Sequence, residues 1–322
     1  MIAEASRIFF RRTYAFAAAL AIVLVVANFL ALPALAQPSQ IPSTLAGLAP
    51  FALLAMASAP SILSGSGGID LSVAPLMGLV NAILVTRLLG TPLGEPWLAI
   101  PIVLGLGLAV GLVNGISVAV LRFPAVIATL CMFFVIGGIT LWMLPSPVTA
   151  KHNWTDGLSG TTLGVPGGVL TIGLPLLLWA ILRRTTFVET LLTIGDNEIA
   201  AFTSGVRVAM VRVLAYGLGG MLAAVAGIAL TGLVSTADPN LSKPYVLVAL
   251  AAVAIGGVTL HGGSGGMVGP VLGAVSIYFL SILLSSLHVA STWTNVAYGC
   301  ALLLALLVNH FVSRHVREGA RR

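Results

Sequence analysis

Residues able to do chemistry are sparse in this chain and fall in a few places. Gly262-Gly263-Ser264-Gly265 matches G-x-S-G, and His288 lies in the next apolar run. A serine nucleophile needs only a base within hydrogen-bond reach, so intramembrane serine hydrolysis is the enzymatic alternative to weigh. Asp70 sits between Gly67-Gly68-Ile69 and Leu71-Ser72. There a carboxylate either caps the helix that follows or gates the mouth of a path. Asn81, Asn114 and Asn295 stand in apolar runs, where an amide ties helices together or meets a hydroxyl-rich solute. His261 and His288 are too far apart for a metal site, and Cys131 and Cys300 lie inside apolar runs, so neither a metal cluster nor a disulfide is expected. G-x-x-x-x-G-K-[ST] is absent, since Lys151 follows Ala150 and Lys243 follows Ser242. If ATP drives this protein, another chain binds it.

The stretch from Thr193 to Gly205 carries its own helix signals. Asp196 or Asn197 can accept from the first free N–H groups, Glu198 suits the positive end of the dipole, and Gly205 can take the left-handed cap. Ile199 and Phe202 share a face at i, i+3, while Ala200, Ala201 and Ser204 keep the rest thin. Such a helix either fills a groove on a partner or rests on its own bundle.

The elements that must position these residues are set by two charge-free stretches, Thr13 to Ile69 and Pro244 to Ser313. A helix crosses the hydrocarbon core in about 20 apolar residues, and a charge at its centre costs at least ~2.5 kcal/mol. With 58% hydrophobic and 7% charged residues, the chain reads as all-α and polytopic, a single transmembrane domain over 1–322. Ten helices are predicted, at 14–32, 45–63, 71–89, 97–121, 123–144, 166–182, 211–234, 244–260, 267–288 and 292–312. The first, although preceded by Arg11-Arg12 and followed by Ala34-Leu35-Ala36, is longer than a leader's apolar region and reads as retained.

An even number of crossings leaves both termini in the cytoplasm. It puts the loop near 183–212 inside and the loop near 145–167 outside. Only Arg87, Lys151 and Lys243 among the basic residues then fall outside, as the positive-inside rule demands. The net charge of +6 is scattered over helix ends, so no nucleic acid partner is expected, and the bundle's surroundings are lipid. Trp142 and Trp293 suit the interface, although an indole can also stack on a sugar ring. Gly-Ser-Gly-Gly occurs at 65–68 and again at 263–266, each time between apolar runs on the predicted inner side. Internal duplication is common in transporters, and so short a glycine-rich match can also be coincidence.

Several stretches, taken in order, carry a resemblance to a known family. Gly67-Gly68-Ile69-Asp70-Leu71-Ser72-Val73 comes first, then Asn114-Gly115 and Pro124-x-x-Ile127-Ala128-Thr129-Leu130. Next is Ile194-Gly195-x-Asn197-x-x-Ala200-Ala201-x-x-Ser204-Gly205. Ala237-Asp238-Pro239 and the run from Ala251-Ala252-Val253 through Gly256-Gly257 to Gly262-Gly263 complete it. The pattern resembles the membrane-spanning permease subunits of bacterial sugar ABC importers, the ribose/xylose/galactose permease family, over about residues 45–310. Ala74-Pro75 stands where the family usually has Gly-Ser, and Val188-Glu189 where it usually has Gly-Arg.

The resemblance implies a multi-pass permease of the bacterial inner membrane, paired with a second copy or a paralogue. Cytoplasmic ABC ATPase subunits, which carry the ATP and Mg, would grip Gly195, Asn197, Glu198, Ala200, Ala201, Ser204 and Gly205. A periplasmic substrate-binding protein would deliver the solute. Asp70, Asn81, Asn114 and Asn295 are the gate or path candidates, and no catalytic or metal-ligating residue is implied. With few buried ionic groups, the path suits a neutral monosaccharide or polyol. The alternative in transport is an ion- or proton-coupled secondary carrier, which usually needs several buried titratable groups.

Overall fold

The computed structural model describes residues 14–307, apart from 152, 163, 291, 305 and 306. The first basic cluster and the end of the predicted 292–312 helix therefore lie outside the described residues. Helices run in the order α1 (Ala15–Ala31), α2 (Ile41–Leu63), α3 (Val73–Ile83), α4 (Pro96–Ala119), α5 (Ala125–Met143) and α6 (Gly167–Leu182). Then come α7 (Thr186–Asp196), α8 (Glu198–Thr203), α9 (Val208–Val234), α10 (Tyr245–Ile255) and α11 (Val268–Ser286), and residues 292–304 are helical as well. Helix α3 continues through a π turn at Leu84–Leu88.

By length and composition, five helices can cross a membrane: Pro38–Leu63, α4, α5, α9 and α11. Helices α6 and α7 would count as a sixth if taken together, but they are bent by 82° at their junction. Helices α1, α3 and α10 are apolar and shorter. The predicted span 244–260 is helical from Tyr245 to Ile255 and leaves the helix over 256–260.

Helix α2 is the axis of the bundle, buried from Ala46 to Leu63 except at half-buried Phe51, and it contains Pro50 and Pro60. Within it Ser58 donates to the Leu54 carbonyl (3.1 Å) and Ser61 to the Ser58 carbonyl (3.1 Å), so these buried hydroxyls are satisfied by their own helix. Helix α9 packs against α2, α3 and α4. Its contact with α4 is close because Gly107, Gly111 and Gly115 recur every four residues and lie against the α9 backbone at Gly220, Tyr216 and Val213. Lipid supplies no hydrophobic drive between helices, so small residues that let backbones meet do that work. Helix α1 is tied to α11 by Asn28, whose Nδ2 donates to the Phe279 carbonyl (2.8 Å).

Helices α4, α5 and α6 turn large apolar side chains such as Ile102, Val135 and Leu174 outward. Water would not tolerate that surface and lipid does. At one end of the bundle β1 (Val148–Thr149) pairs antiparallel with β4 (Thr236–Ala237), and β2 (Thr161–Thr162) pairs with β3 (Val165–Pro166). The helices α7 and α8 lie at the other end.

Candidate functional site

The site at that other end is built around a junction of three backbone segments. Both Gly-Ser-Gly-Gly loops come to it, and α7 ends on them. The Gly263 N–H donates to the Leu63 carbonyl (3.2 Å). Gly262 lies against Gly65, Gly263 against Asp196, and Gly195 between Leu63 and Gly263, all at distances that leave no room for a Cβ. Gly65, Gly67, Gly262 and Gly263 have φ of +80°, +65°, +96° and +76°, a region that L side chains enter only at a cost. The repeat noted in the sequence thus marks two turns that touch each other.

Helix α8 stands on this junction. The sequence offered Asp196 or Asn197 as the cap of a short helix ending at Gly205, and the structure uses Asn197. Thr193 to Asp196 finish α7, the chain breaks at Asn197, and α8 follows. Asn197 is the cap: its Oδ1 accepts from the Ala200 N–H at 3.0 Å. At the far end the Gly205 N–H donates to the Phe202 carbonyl and the Val206 N–H to the Ala201 carbonyl, with Gly205 at φ +84°. These two bonds close a Schellman turn around a left-handed glycine, as the sequence predicted for Gly205.

The site residues read from the sequence divide by the direction they face. Ile199 and Phe202 are 77% and 71% exposed, side by side on the outer face of α8. Ala200 and Ser204 are exposed too. Ala201 is buried with Ile194 and Val208, and Gly195 is held within the junction. These last two seat the helix and are not available to a partner.

Glu198 is exposed but bonded to the chain beneath it. Its Oε2 accepts from Arg212 Nη2 (3.0 Å) and from the Ser66 hydroxyl (2.7 Å), and its Oε1 from Arg212 Nη1 (3.3 Å). Arg212 Nη2 also donates to the Ser64 carbonyl (3.2 Å) and to Ser66 Oγ (3.1 Å). One guanidinium thereby joins α8, the first glycine loop and the start of α9. Sequence reading left Arg212 among the cytoplasmic charges. Its position inside the predicted apolar helix 211–234 was the available signal, because a charge there demands a partner.

The hydrogen bond from Arg212, and then that from Ser66, hold the Glu198 carboxyl below its ordinary pKa of 4.5. A carboxylate with a depressed folded pKa contributes stability above its unfolded pKa and loses it as pH falls through the folded value. The difference in thermal midpoint between the wild type and Glu198→Gln is expected to stay constant from pH 8 to about 5 and to shrink below ~4.5. A difference that grows on acidification would contradict the pair's role.

The other candidates lie within the bundle. Asp70 Oδ1 accepts from the N–H (2.9 Å) and the hydroxyl (2.7 Å) of Ser72, and Asn114 Nδ2 donates to the same hydroxyl (2.7 Å). The carboxylate therefore fixes the residue before α3, and the N–H groups of the helix itself are not its partners. Asn81 Nδ2 donates to Thr231 Oγ1 (3.0 Å) and to the Thr236 carbonyl (3.1 Å), tying α3 to α9 and to β4. Asn295 is exposed on the outside of the chain, and the structure does not bring it to the other three. Ser264 Oγ lies 3.0 Å from Thr259 Oγ1. His288 lies beyond the far end of α11, whose 19 residues span about 28 Å, so the nucleophile–base pair does not exist. Among the described residues no cluster of histidine, cysteine or acid could hold a metal.

Comparison with known proteins places these features. A family described as branched-chain amino acid transport system / permease component matches residues 43–308. The ribose import permease protein of Escherichia coli K12 is 35% identical over 252 residues, 76% of this chain and 78% of that one. Its namesake from Bacillus subtilis 168 is 33% identical over 292 residues, 89% of each chain. The fructose import permease protein of Rhizobium meliloti is 29% identical over 77% of this chain and 72% of its own. No solved structure matches the chain. With four-fifths of its length matched and five helices long and apolar enough to cross a membrane, the chain belongs to this permease-component family and is a multi-pass membrane transport subunit, not an enzyme.

Proposed function

We propose that this chain forms half of the translocation path of an ATP-driven importer for a neutral sugar or related polyol, in the bacterial inner membrane. A second permease chain, a copy or a paralogue, forms the other half. Two cytoplasmic ATPase subunits bind ATP with Mg and dock on α8, and a periplasmic binding protein delivers the solute at the end that carries β1 and β4. The ribose and fructose named for the relatives support the solute class. Among the described residues Arg183, Arg184, Arg207 and Arg212 flank α7 and α8, which supports that end being cytoplasmic.

One observation carries the reading. Helix α8 is capped at both ends and anchored through Glu198 to Arg212, and it still holds Ile199 and Phe202 out to solvent. Ordering a six-residue helix around two bare apolar side chains is unfavourable unless something covers them. In the complex reconstituted with its ATPase and binding protein, Ile199→Asp and Phe202→Asp are expected to cut solute-stimulated ATP hydrolysis at least tenfold. Permease abundance should not change, because neither side chain packs inside the chain. Undiminished stimulation would reject docking at α8. Ala201→Arg is unsuitable for this purpose, since it would force a charge into the packing beneath the helix.

A further inference from the structure

The segment between α9 and α10 runs where membrane proteins rarely place irregular backbone. Helix α9 ends at Ser235 in the left-handed region, φ +50°. The chain pairs briefly as β4, turns at Asp238, whose Oδ1 accepts from the Asn240 N–H (2.7 Å), and then travels back alongside α3. Three contacts trace its course. Asn81 holds the Thr236 carbonyl, Gly78 meets Ser242 Oγ, and Pro75 shares a cleft wall with Lys243. Asn81 to Pro75 is six helical residues, so the non-helical chain penetrates about 9 Å along α3. Helix α10 then completes the crossing with only 11 residues, about 16 Å or half the hydrocarbon thickness. The short helix is therefore preceded by non-helical chain, 236–244, on the same side of α3.

Irregular backbone at that depth is tolerated only where protein buries it or where it lines a water-filled cavity. Asn240 and Lys243 are exposed, so burial is not the answer here. They open onto a cleft of about 350 Å³ whose opposite wall is α5, with Phe133, Phe134, Gly137 and Gly138. A Cβ at Gly137 or Gly138 would meet nothing within 4 Å. Unlike Gly107, Gly111 and Gly115 of α4, this pair has no packing reason inside the chain, and each costs a helix ~1 kcal/mol relative to alanine. The space they leave belongs to the cleft. Phe134 is 67% exposed beside it.

We propose that this cleft is where the solute is held during passage, a deepening that rests on the importer reading above. The chemistry of its walls selects an uncharged, hydroxyl-rich ring. Asn240 offers donors and an acceptor, the Lys243 ammonium offers donors, and a phenyl face covers the C–H side. The volume falls in the range of small-ligand sites. Pro75, one of the departures from the family pattern, stands in the cleft wall, so the solute preference is read partly from that position.

The test uses the assembled complex in membranes, with Cys131→Ser and Cys300→Ser removing the exposed native thiols. Gly138→Cys and Asn240→Cys are then exposed to a membrane-impermeant methanethiosulfonate reagent, with exposed Lys151→Cys as the accessible control and lipid-facing Leu177→Cys as the inaccessible one. Both cleft cysteines are expected to react, and D-ribose or D-fructose with the binding protein should slow the reaction at least threefold. Phe134→Ala and Lys243→Gln should raise the KM for uptake tenfold or more. Failure of both cysteines to react overturns the proposal. So does oxidative cross-linking of two copies through Gly138→Cys, which would show that a partner helix fills the cleft. Reaction without protection by either sugar removes the cleft as their site. Absence of wild-type uptake of both sugars counts against the importer's solute class, whereas water access to the cleft is read independently by the labelling.

Discussion

Gly111→Leu is expected to leave less than a tenth of the wild-type amount of folded permease in the membrane. Gly111 faces the α9 backbone at Tyr216 and Gly217, with Gly107 and Gly115 one turn to either side making the same approach. An isobutyl group there must push two long helices apart along their whole contact. Overpacking a core with flexible neighbours costs ~1–3 kcal/mol. Here the obstacle is backbone, so the cost lies above that range. Gly105→Leu, on the same helix but with nothing within 4 Å of its Cβ, should accumulate normally. Thermal melting and yield after detergent extraction distinguish the two. Wild-type yield and melting for Gly111→Leu would mean that the α4–α9 contact is not what holds the bundle together.

Gly195→Val should reduce uptake at least tenfold, and Gly266→Ala should not. A side chain at Gly195 has Leu63 on one side and Gly263 on the other, both main chain, so neither can yield without moving its loop. The valine would wedge α7, and with it α8, away from the two glycine turns. Gly266 belongs to the same repeated motif, yet nothing lies within 4 Å of its Cβ. The comparison therefore separates contact from composition. If α8 is where ATPase motion enters the permease, this junction is the rigid connection to α2 and α11. Loss of uptake with basal ATP hydrolysis preserved is the expected signature. Wild-type uptake in Gly195→Val would show that the junction transmits nothing.

The membrane class was legible because it depends on bulk quantities. Long uncharged stretches have one favourable environment, and no arrangement of contacts alters that. Local signals served equally well where the physics is local. The Asn197 cap and the left-handed Gly205 follow from which side chains can satisfy a helix end or adopt positive φ, and both are in place. The ordered motifs from Gly67 to Gly265 pointed to the permease family for the same reason, since each is a short run of neighbouring residues.

What failed to show in the sequence were relations between distant segments. Hydropathy sees Tyr245 to Leu260 as apolar. It cannot see that α9 overshoots and that the chain must return beside α3 before α10 begins. Nor could spacing reveal which way α8 faces. Ala201 and Phe202 are neighbours in sequence, yet one is buried on Ile194 and Val208 while the other meets solvent.

Arg212 and Glu198 are 14 positions apart, and the Ser66 that joins them is 132 from Glu198. Their meeting depends on three helices ending at one level. By itself the sequence determined the solvent this protein lives in, its family and the caps of its exposed helix. Only the tertiary structure decided that two glycine turns touch, that one guanidinium binds the first of them to α8, and that Lys243 lies beside a cleft opposite α5. Those outcomes are set by how close backbones can approach, a quantity that exists only once the helices are packed.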